Sequence, residues 1–205
     1  MSNHDDPHDH GTMPMADASV RRASVSDTPA IGIVQAEVFT RAYAGRLPSE
    51  VIAAFEPVAF TRAWRDGLSN PPAGAHALFV ALAGPQVVGF VAVGPSQDPD
   101  APSDQAEVTV IGVHPSGRRQ GHGSRLLNAS ADHLRSLGAG SMSAWVLVDD
   151  EETRAFLRAA GLEPDGAHRD RVVSPDGSTL REVRLSCLLG PCATRPWRRS
   201  GGVMS

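Results

Sequence analysis

Arg118-Arg119-Gln120-Gly121-His122-Gly123-Ser124 lies between two segments of different periodicity, and that position decides the fold. On its N-terminal side, Glu107-Val108-Thr109-Val110-Ile111-Gly112-Val113 is β-branched and apolar, as a strand requires. On its C-terminal side, Leu127, Ala131, Leu134 and Leu137 recur at helical spacing as far as Gly138, which predicts a helix over 124–137. Glycines at such a junction let the backbone close around an anion. The unpaired amides and the dipole of the helix start then favour a diphosphate without many cationic side chains, and Arg118 and Arg119 add charge. A P-loop needs Gly-Lys-Ser/Thr and a dinucleotide fingerprint needs a third glycine where Leu126 stands, so neither fits.

Working outward, residues 142–148 form a strongly apolar strand, and 151–160 a helix that carries Phe156 and Leu157 and stops at Gly161. Strand, helix, strand and helix in succession imply a parallel, right-handed crossover. Upstream, the apolar runs 77–82 and 87–93 flank Ala83-Gly84-Pro85-Gln86 and predict a hairpin, with loops at 69–74 and 97–105. Further upstream a strand over 19–23 is followed by a helix to about Tyr43, with Asp27 as N-cap, Pro29 in its first turn and Ile33, Val34, Val38 and Phe39 at helical spacing. Pro48 opens a second helical stretch through Val51, Ile52 and Phe55, which Pro57 breaks. Val172-Val173 and 180–188 read as a closing hairpin around 174–177.

The 205 residues, 41% hydrophobic and 20% charged, suit one domain, placed at 19–189. Residues 1–18, with His4, His8 and His10 among aspartates, read as a disordered tail, and 190–205 as a flexible one. A net charge of -4 gives no basic footprint for nucleic acid or an anionic membrane. Cys187 and Cys192 match no zinc-site spacing, so reduced thiols and no metal are expected. No stretch looks like a signal or a membrane span, which points to the cytoplasm.

Arg118-x-x-Gly121-x-Gly123 resembles the R/Q-x-x-G-x-G/A signature of the GNAT superfamily of N-acetyltransferases. Val113-His114-Pro115, Gly89-Phe90 and Phe156-Leu157-x-x-x-Gly161-Leu162, which is similar to the family's F-Y-x-x-x-G-F, extend the match in the family's order over residues 19–186. The resemblance implies an α/β (α+β) fold: a central mixed, mostly antiparallel twisted sheet of about seven strands, with a β-α-β-α cofactor-binding core and flanking helices. It also implies transfer of an acetyl group from acetyl-CoA to a primary amine by direct attack in a ternary complex. The acceptor, a small molecule or a protein amine, is not legible, and many relatives dimerise. On this resemblance the amides of Arg119, Gly121, Gly123 and Ser124 hold the pyrophosphate, with Arg118, Gln120 and His122 in the same turn. Ile111 and Val113 hydrogen-bond the pantetheine arm through their main chain, and the Val113 amide is the oxyanion donor. Gly112 between them fits either a β-bulge or plain relief of packing.

Attack on the thioester needs a neutral amine, and an alkylamine has a pKa of about 10.4, so a base is required near neutral pH. Glu107, six residues before Val113, is the candidate base; the competing reading is a solvated glutamate at a strand end. Two positions depart from the family. Leu157 stands where a tyrosine commonly protonates the leaving thiolate, and Asp150 stands where an asparagine commonly contacts the pantetheine arm. Asp150 serves equally well as a helix N-cap. Tyr43, the one tyrosine, either packs at the core or rim or reaches into the acceptor pocket. Trp64 and Trp145 read as core or pocket wall, and His114 and His122 as loop residues without catalytic roles. Asp98, Asp100 and Asp104 either attract cationic amines or form an ordinary solvated loop. Besides the enzyme, a CoA-binding module without catalysis and a transferase of longer acyl groups remain open.

Overall fold

The computed structural model describes residues 18–173 and 177–190. In chain order its elements are β1 (Ala18–Arg22), α1 (Thr28–Tyr43), α2 (Ser49–Ala53), α3 (Pro57–Ser69), β2 (Ala77–Ala83), β3 (Gln86–Pro95), β4 (Gln105–Val113), α4 (His122–Ser136), β5 (Ser141–Leu147), α5 (Glu151–Ala159), β6 (Glu163–Val172) and β7 (Thr179–Leu188). All seven strands join one sheet in the order β1-β2-β3-β4-β5-β7-β6. Only β4 and β5 run parallel, joined through α4, and every other pair is antiparallel. This is the mixed sheet with flanking helices expected from the sequence. The expected tails at 1–17 and 191–205, with Cys192, lie outside the described residues, as do 174–176 of the closing turn.

Strand alternation gives the sheet two apolar faces, each covered by a helical layer. Val91, Val93, Val108, Met142 and Leu185 face Leu126, Leu134 and Leu157 of α4 and α5. Leu78, Val80, Phe90 and Ala92 face Ile31 and Val34 of α1, and Trp64 and Leu68 of α3 pack against them. Trp64 is therefore a core residue, and its indole donates to Gln35 Oε1 at 2.6 Å.

Several expectations are corrected. Pro57 does not merely end α2; it occupies the first turn of α3, where its missing N–H costs nothing. Ile33 points to solvent, and Ile31 takes its place in the core. Asp27 sits at the N-cap position without a cap hydrogen bond, because its carboxylate is held by Arg21 Nη1 and Nη2 at 2.7 and 2.8 Å. Those hydrogen bonds hold the Asp27 carboxyl well below the usual carboxylate range. The first limb of the closing hairpin is ten residues long rather than two, because β6 is an edge strand whose polar, mostly exposed run Glu-Pro-Asp-Gly-Ala-His-Arg-Asp carries no alternation.

α1 passes close to the start of α3 at Gly32, where an added Cβ would lie 2.5 Å from the Pro57 carbonyl oxygen. A backbone oxygen cannot swing aside, so overpacking of about 1–3 kcal/mol should exceed the roughly 1 kcal/mol that alanine gains in a helix. Gly32→Ala should therefore destabilise the fold in urea titration. Gly67→Ala, on the open side of α3 with nothing within 4 Å, should stabilise it.

Candidate active site

Three features built from the sequence upward line the junction of β4 and β5, from the last of their paired residues to their C-terminal ends. The first is a gap in the sheet. β4 pairs with β5 only from Gln105↔Ser141 to Val108↔Ala144, after which the two strands part. The β3–β4 register shifts where Val93 pairs with Val108 and Ala92 with Val110, so Thr109 is the extra residue of a bulge, which bends the strand that carries it. The bulge is thus at Thr109 and not at Gly112. Gly112 serves close packing instead: a Cβ there would lie 3.0 Å from the Phe90 ring.

Beyond the bulge, the His114 amide donates to Val88 O on β3 at 2.8 Å. Backbone groups alternate along a strand, so Gly112 also faces β3, while the main-chain groups of Ile111 and Val113 face the gap. Trp145 to Leu147 line its other side and remain paired only to β7. The exposed backbone of two parted strands can accept an extended chain between them.

The second feature is the turn at the gap's mouth. Arg119 and Gly121 both adopt left-handed backbone, with φ 63° and 79°. The first helical bond of α4 runs from the Arg125 amide to Gly121 O, so the amides of His122, Gly123 and Ser124 have no acceptor within the helix. Gly121, Gln120, Arg119 and Ser124 are exposed there. Arg118 reaches Val113 O and Glu152 Oε2, both at 3.4 Å, and ties the turn to α5. Arg119 makes no ion pair among the described residues. Gly123 lets α4 pass the Phe156 ring, which a Cβ would meet at 2.9 Å. His122 points inward, 2% exposed, and neither ring nitrogen finds a hydrogen-bond partner among the described residues. Burial, with Arg125 nearby, pushes its pKa down. Amides, helix dipole and arginines together fit a diphosphate, and the gap fits the arm of the same molecule.

The third feature is Glu107, at the narrow end of the gap and on the α1–α3 face of the sheet. It is buried at 8% exposure, so it is not the solvated strand-end residue of the competing reading. Its Oε2 has no hydrogen-bond partner among the described residues. Burial raises its pKa, and Asp98 and Glu182 raise it further, against the opposing pull of Arg169 and a Gln97 backbone hydrogen bond. Glu107 stands opposite Gly94, and the imidazole of the exposed His76 fills the space where a Gly94 side chain would be, its Nδ1 2.6 Å from that Cβ position. Directly opposed Cβ positions lie about 5 Å apart, so His76 borders the candidate base.

A charged network surrounds this end of the gap. Asp98 bonds the Trp145 indole at 3.2 Å and Arg184 Nη1 at 2.9 Å, so it clamps a loop rather than drawing in cations. Arg169 stacks 4.2 Å over the Trp145 ring and bonds Glu182 Oε2 at 2.6 Å. Trp145 is thus a wall residue of the gap. Arg169, Glu182, Arg184 and His76 were not singled out from the sequence, because only strand register brings them beside Glu107.

Other candidates fall away. The Asp150 carboxylate is spent as N-cap of α5, accepting from the Thr153 amide and hydroxyl at 3.0 and 2.8 Å. His114 Nδ1 is held by Ser116 at 2.7 Å. Leu157 is buried in the core and offers no proton. Burial raises the Cys187 thiol pKa, as suits a packed strand residue. Among the described residues no group of three or more His, Cys, Asp and Glu is arranged to hold a metal ion, and no helix is long and apolar enough to cross a membrane.

Comparison with known proteins agrees with this geometry. The model of the Acetyltransferase (GNAT) family matches residues 41–162, more than half of the chain. Among solved structures, PaiA N-acetyltransferase from Thermoplasma acidophilum in complex with coenzyme A superposes with a TM-score of 0.61 at 17% identity, over 82% of this chain and 98% of that one. An N-acetyltransferase from Staphylococcus aureus Mu50 gives 0.63 at 18%, over 85% and 99%. The ribosomal-protein-S18-alanine N-acetyltransferase from Escherichia coli gives 0.59 at 16%, over 87% and 97%. At these identities the likeness speaks for the fold. A comparison with curated proteins finds no match.

Two outcomes follow from the geometry. Gly121→Ala, which forces a side chain into left-handed backbone at about 1–2 kcal/mol, should weaken coenzyme A binding in calorimetry by disturbing the turn's amides. Because the Glu107 pKa is raised on folding, its charged form costs stability. Glu107→Gln should therefore match the wild type in thermal melts near pH 4 and gain on it as pH rises through the folded pKa.

Proposed function

Since the chain belongs to the Acetyltransferase (GNAT) family, we propose that it moves an acetyl group from acetyl-CoA to a primary amine by direct attack. The observation that carries this reading is the parted β4–β5 pair with a buried, under-bonded carboxylate at its narrow end and an anion-binding turn at its mouth. Acetyl-CoA supplies a thioester. The chain supplies binding through the amides of Arg119, Gly121, Gly123 and Ser124, the charge of Arg118 and Arg119, and the main chain of Ile111 and Val113.

Glu107 is the base, taking the ammonium proton through a water molecule, and burial increases its basicity. Six residues of strand, roughly 20 Å at about 3.3 Å each, separate it from Val113. The two therefore do not face one carbonyl group. Ile111 is two residues nearer and lies just past the Thr109 bulge, so its amide takes the oxyanion role in place of Val113. The amine nitrogen bonds to the acetyl carbon and the carbon–sulfur bond breaks. Sulfur leaves with its electron pair, and the second proton of the attacking nitrogen passes through water to the departing thiolate; this is feasible without an acid at Leu157 because thiols ionise near pH 8.5.

Glu107→Gln should lower kcat by about 10²–10⁴-fold near pH 7, and by less at pH 9–10 where more of the amine is neutral, in a thiol-release assay with a panel of amines. A CoA-dependent thermal shift without thiol release from any amine would instead mark a binding module and sink the transferase reading.

A further inference from the structure

On the α1–α3 side of the sheet a cavity of about 240 Å³ opens between α1, α2 and the β6–β7 hairpin. Phe39, Tyr43 and Phe55 form an aromatic wall, their ring centroids 5.6–5.9 Å apart, and Leu147 at the end of β5 lines the side next to the gap. The volume lies below the roughly 300–1,000 Å³ of drug-sized sites, so the occupant is one group the size of a side chain. Which group fits follows from the one buried charge in the lining, Glu182.

Glu182 is 4% exposed, and one of its oxygens is taken: Oε2 accepts from Arg169 Nε at 2.6 Å. Oε1 makes no hydrogen bond among the described residues. Arg171 Nη1 stands 3.7 Å from it, beyond hydrogen-bonding range, on a side chain that is 59% exposed. An exposed pair at that distance holds Arg171 only weakly in place. The surrounding ion pairs leave no cation in excess. Arg169, Arg171 and Arg184 are shared among Asp98, Asp100, Asp165 and Glu182, so carboxylates outnumber guanidiniums, and an ionised Glu107 adds one more. A free carboxylate oxygen in a cup of aromatic rings suits a cation with N–H donors of its own. An ammonium there gains a charge-assisted hydrogen bond and contact with the ring faces together. The Tyr43 hydroxyl, unbonded among the described residues, offers it a second oxygen.

The cup is not itself the place of reaction. On β5, Leu147 opposite Glu182 and Ser143 opposite Glu107 are four residues apart, about 13 Å. An amine seated on Glu182 is therefore held apart from the candidate base, while a second amine on the same molecule can lie beside it. We infer that the acceptor carries two cationic groups joined by a short aliphatic chain, one ammonium on Glu182 in the aromatic cup and the reacting amine turned toward Glu107. The held ammonium keeps its proton and only orients the other end. The fate of the reacting amine rests on the transferase reading above; occupancy of the cup does not.

The test compares hexane-1,6-diamine with hexylamine in the thiol-release assay. It also titrates N,N-dimethylhexylamine, a cation whose tertiary nitrogen forms no stable amide, into the full-length protein by calorimetry. The two primary amines differ only at the far end, where a merely apolar cup would favour the methyl group of hexylamine. The diamine should exceed hexylamine in kcat/KM by about tenfold or more, the value of one charge-assisted hydrogen bond. Glu182→Gln should bring that ratio to near one and abolish N,N-dimethylhexylamine binding. Arg171→Gln, at an exposed position that leaves the fold intact, should raise the ratio by about two- to fivefold, because it removes a cation competing for Glu182 Oε1. Hexylamine turned over as well as the diamine, a ratio that falls in Arg171→Gln, or N,N-dimethylhexylamine binding that ignores Glu182 would overturn the assignment and leave the transferase reading standing. Glu182-dependent binding with no thiol release from any amine would uphold the cup's ligand class and remove the transferase reading.

Discussion

The parting of β4 from β5 is the constraint on which the rest of this structure depends. Backbone groups inside a sheet need partners, and two central strands do not separate unless something bends one of them. Here Thr109, the extra residue between Val108 and Val110, bends β4 while its partner β5 stays paired to β7. The gap opens toward the end of the sheet where β4 runs into the turn and β5 into α5, so a ligand's extended arm and its charged end are served by one chain reversal. The main chain of Ile111 and Val113 serves one, and Arg119 to Ser124 the other.

The gap also sets the demands on its surroundings. A carboxylate placed at its narrow end is cut off from solvent, which is why Glu107 is raised in pKa and lacks a partner for one oxygen. Such a group is costly to stability, and sites that do chemistry are where such costs accumulate. The neighbouring charges are paired: Asp98 is met by Arg184, and Glu182 by Arg169, with both guanidiniums near the Trp145 ring, at 4.2 Å for Arg169 and 5.6 Å for Arg184. This network joins the loop after β3 to the β6–β7 hairpin and places Arg171, 3.7 Å from Glu182 Oε1, at the rim of the aromatic cup.

The division of labour between the faces of the sheet follows from this. The α4–α5 face is dry and packed with Leu126, Leu134 and Leu157, and it fixes the turn by anchoring α4 against the Phe156 ring at Gly123. The α1–α3 face begins as core at Ile31 and Phe90 and becomes a cup toward Tyr43. One layer holds the anion-binding turn in shape, and the other shapes a recess beside the reactive end.

The sequence by itself determined whatever depends on local periodicity and backbone chemistry. The β2–β3 hairpin, the strand–turn–helix at β4 and α4, the glycine-rich turn between them, and the candidacy of Glu107 all follow from spacing, glycine positions and the resemblance they carry. It could not determine where charged side chains meet, because ion pairs such as Arg184 with Asp98 join residues far apart in the chain and depend on strand register. For the same reason β6 was largely illegible: an edge strand without a buried face carries no alternation to read. The bulge fell at Thr109 rather than Gly112, since a bulge answers to the register of both strands and not to one flexible residue. Tertiary structure alone decided that Asp150 caps a helix, that Asp98 clamps a loop, and that Tyr43 borders a cavity, because each outcome is set by which partner arrives within hydrogen-bonding or packing distance.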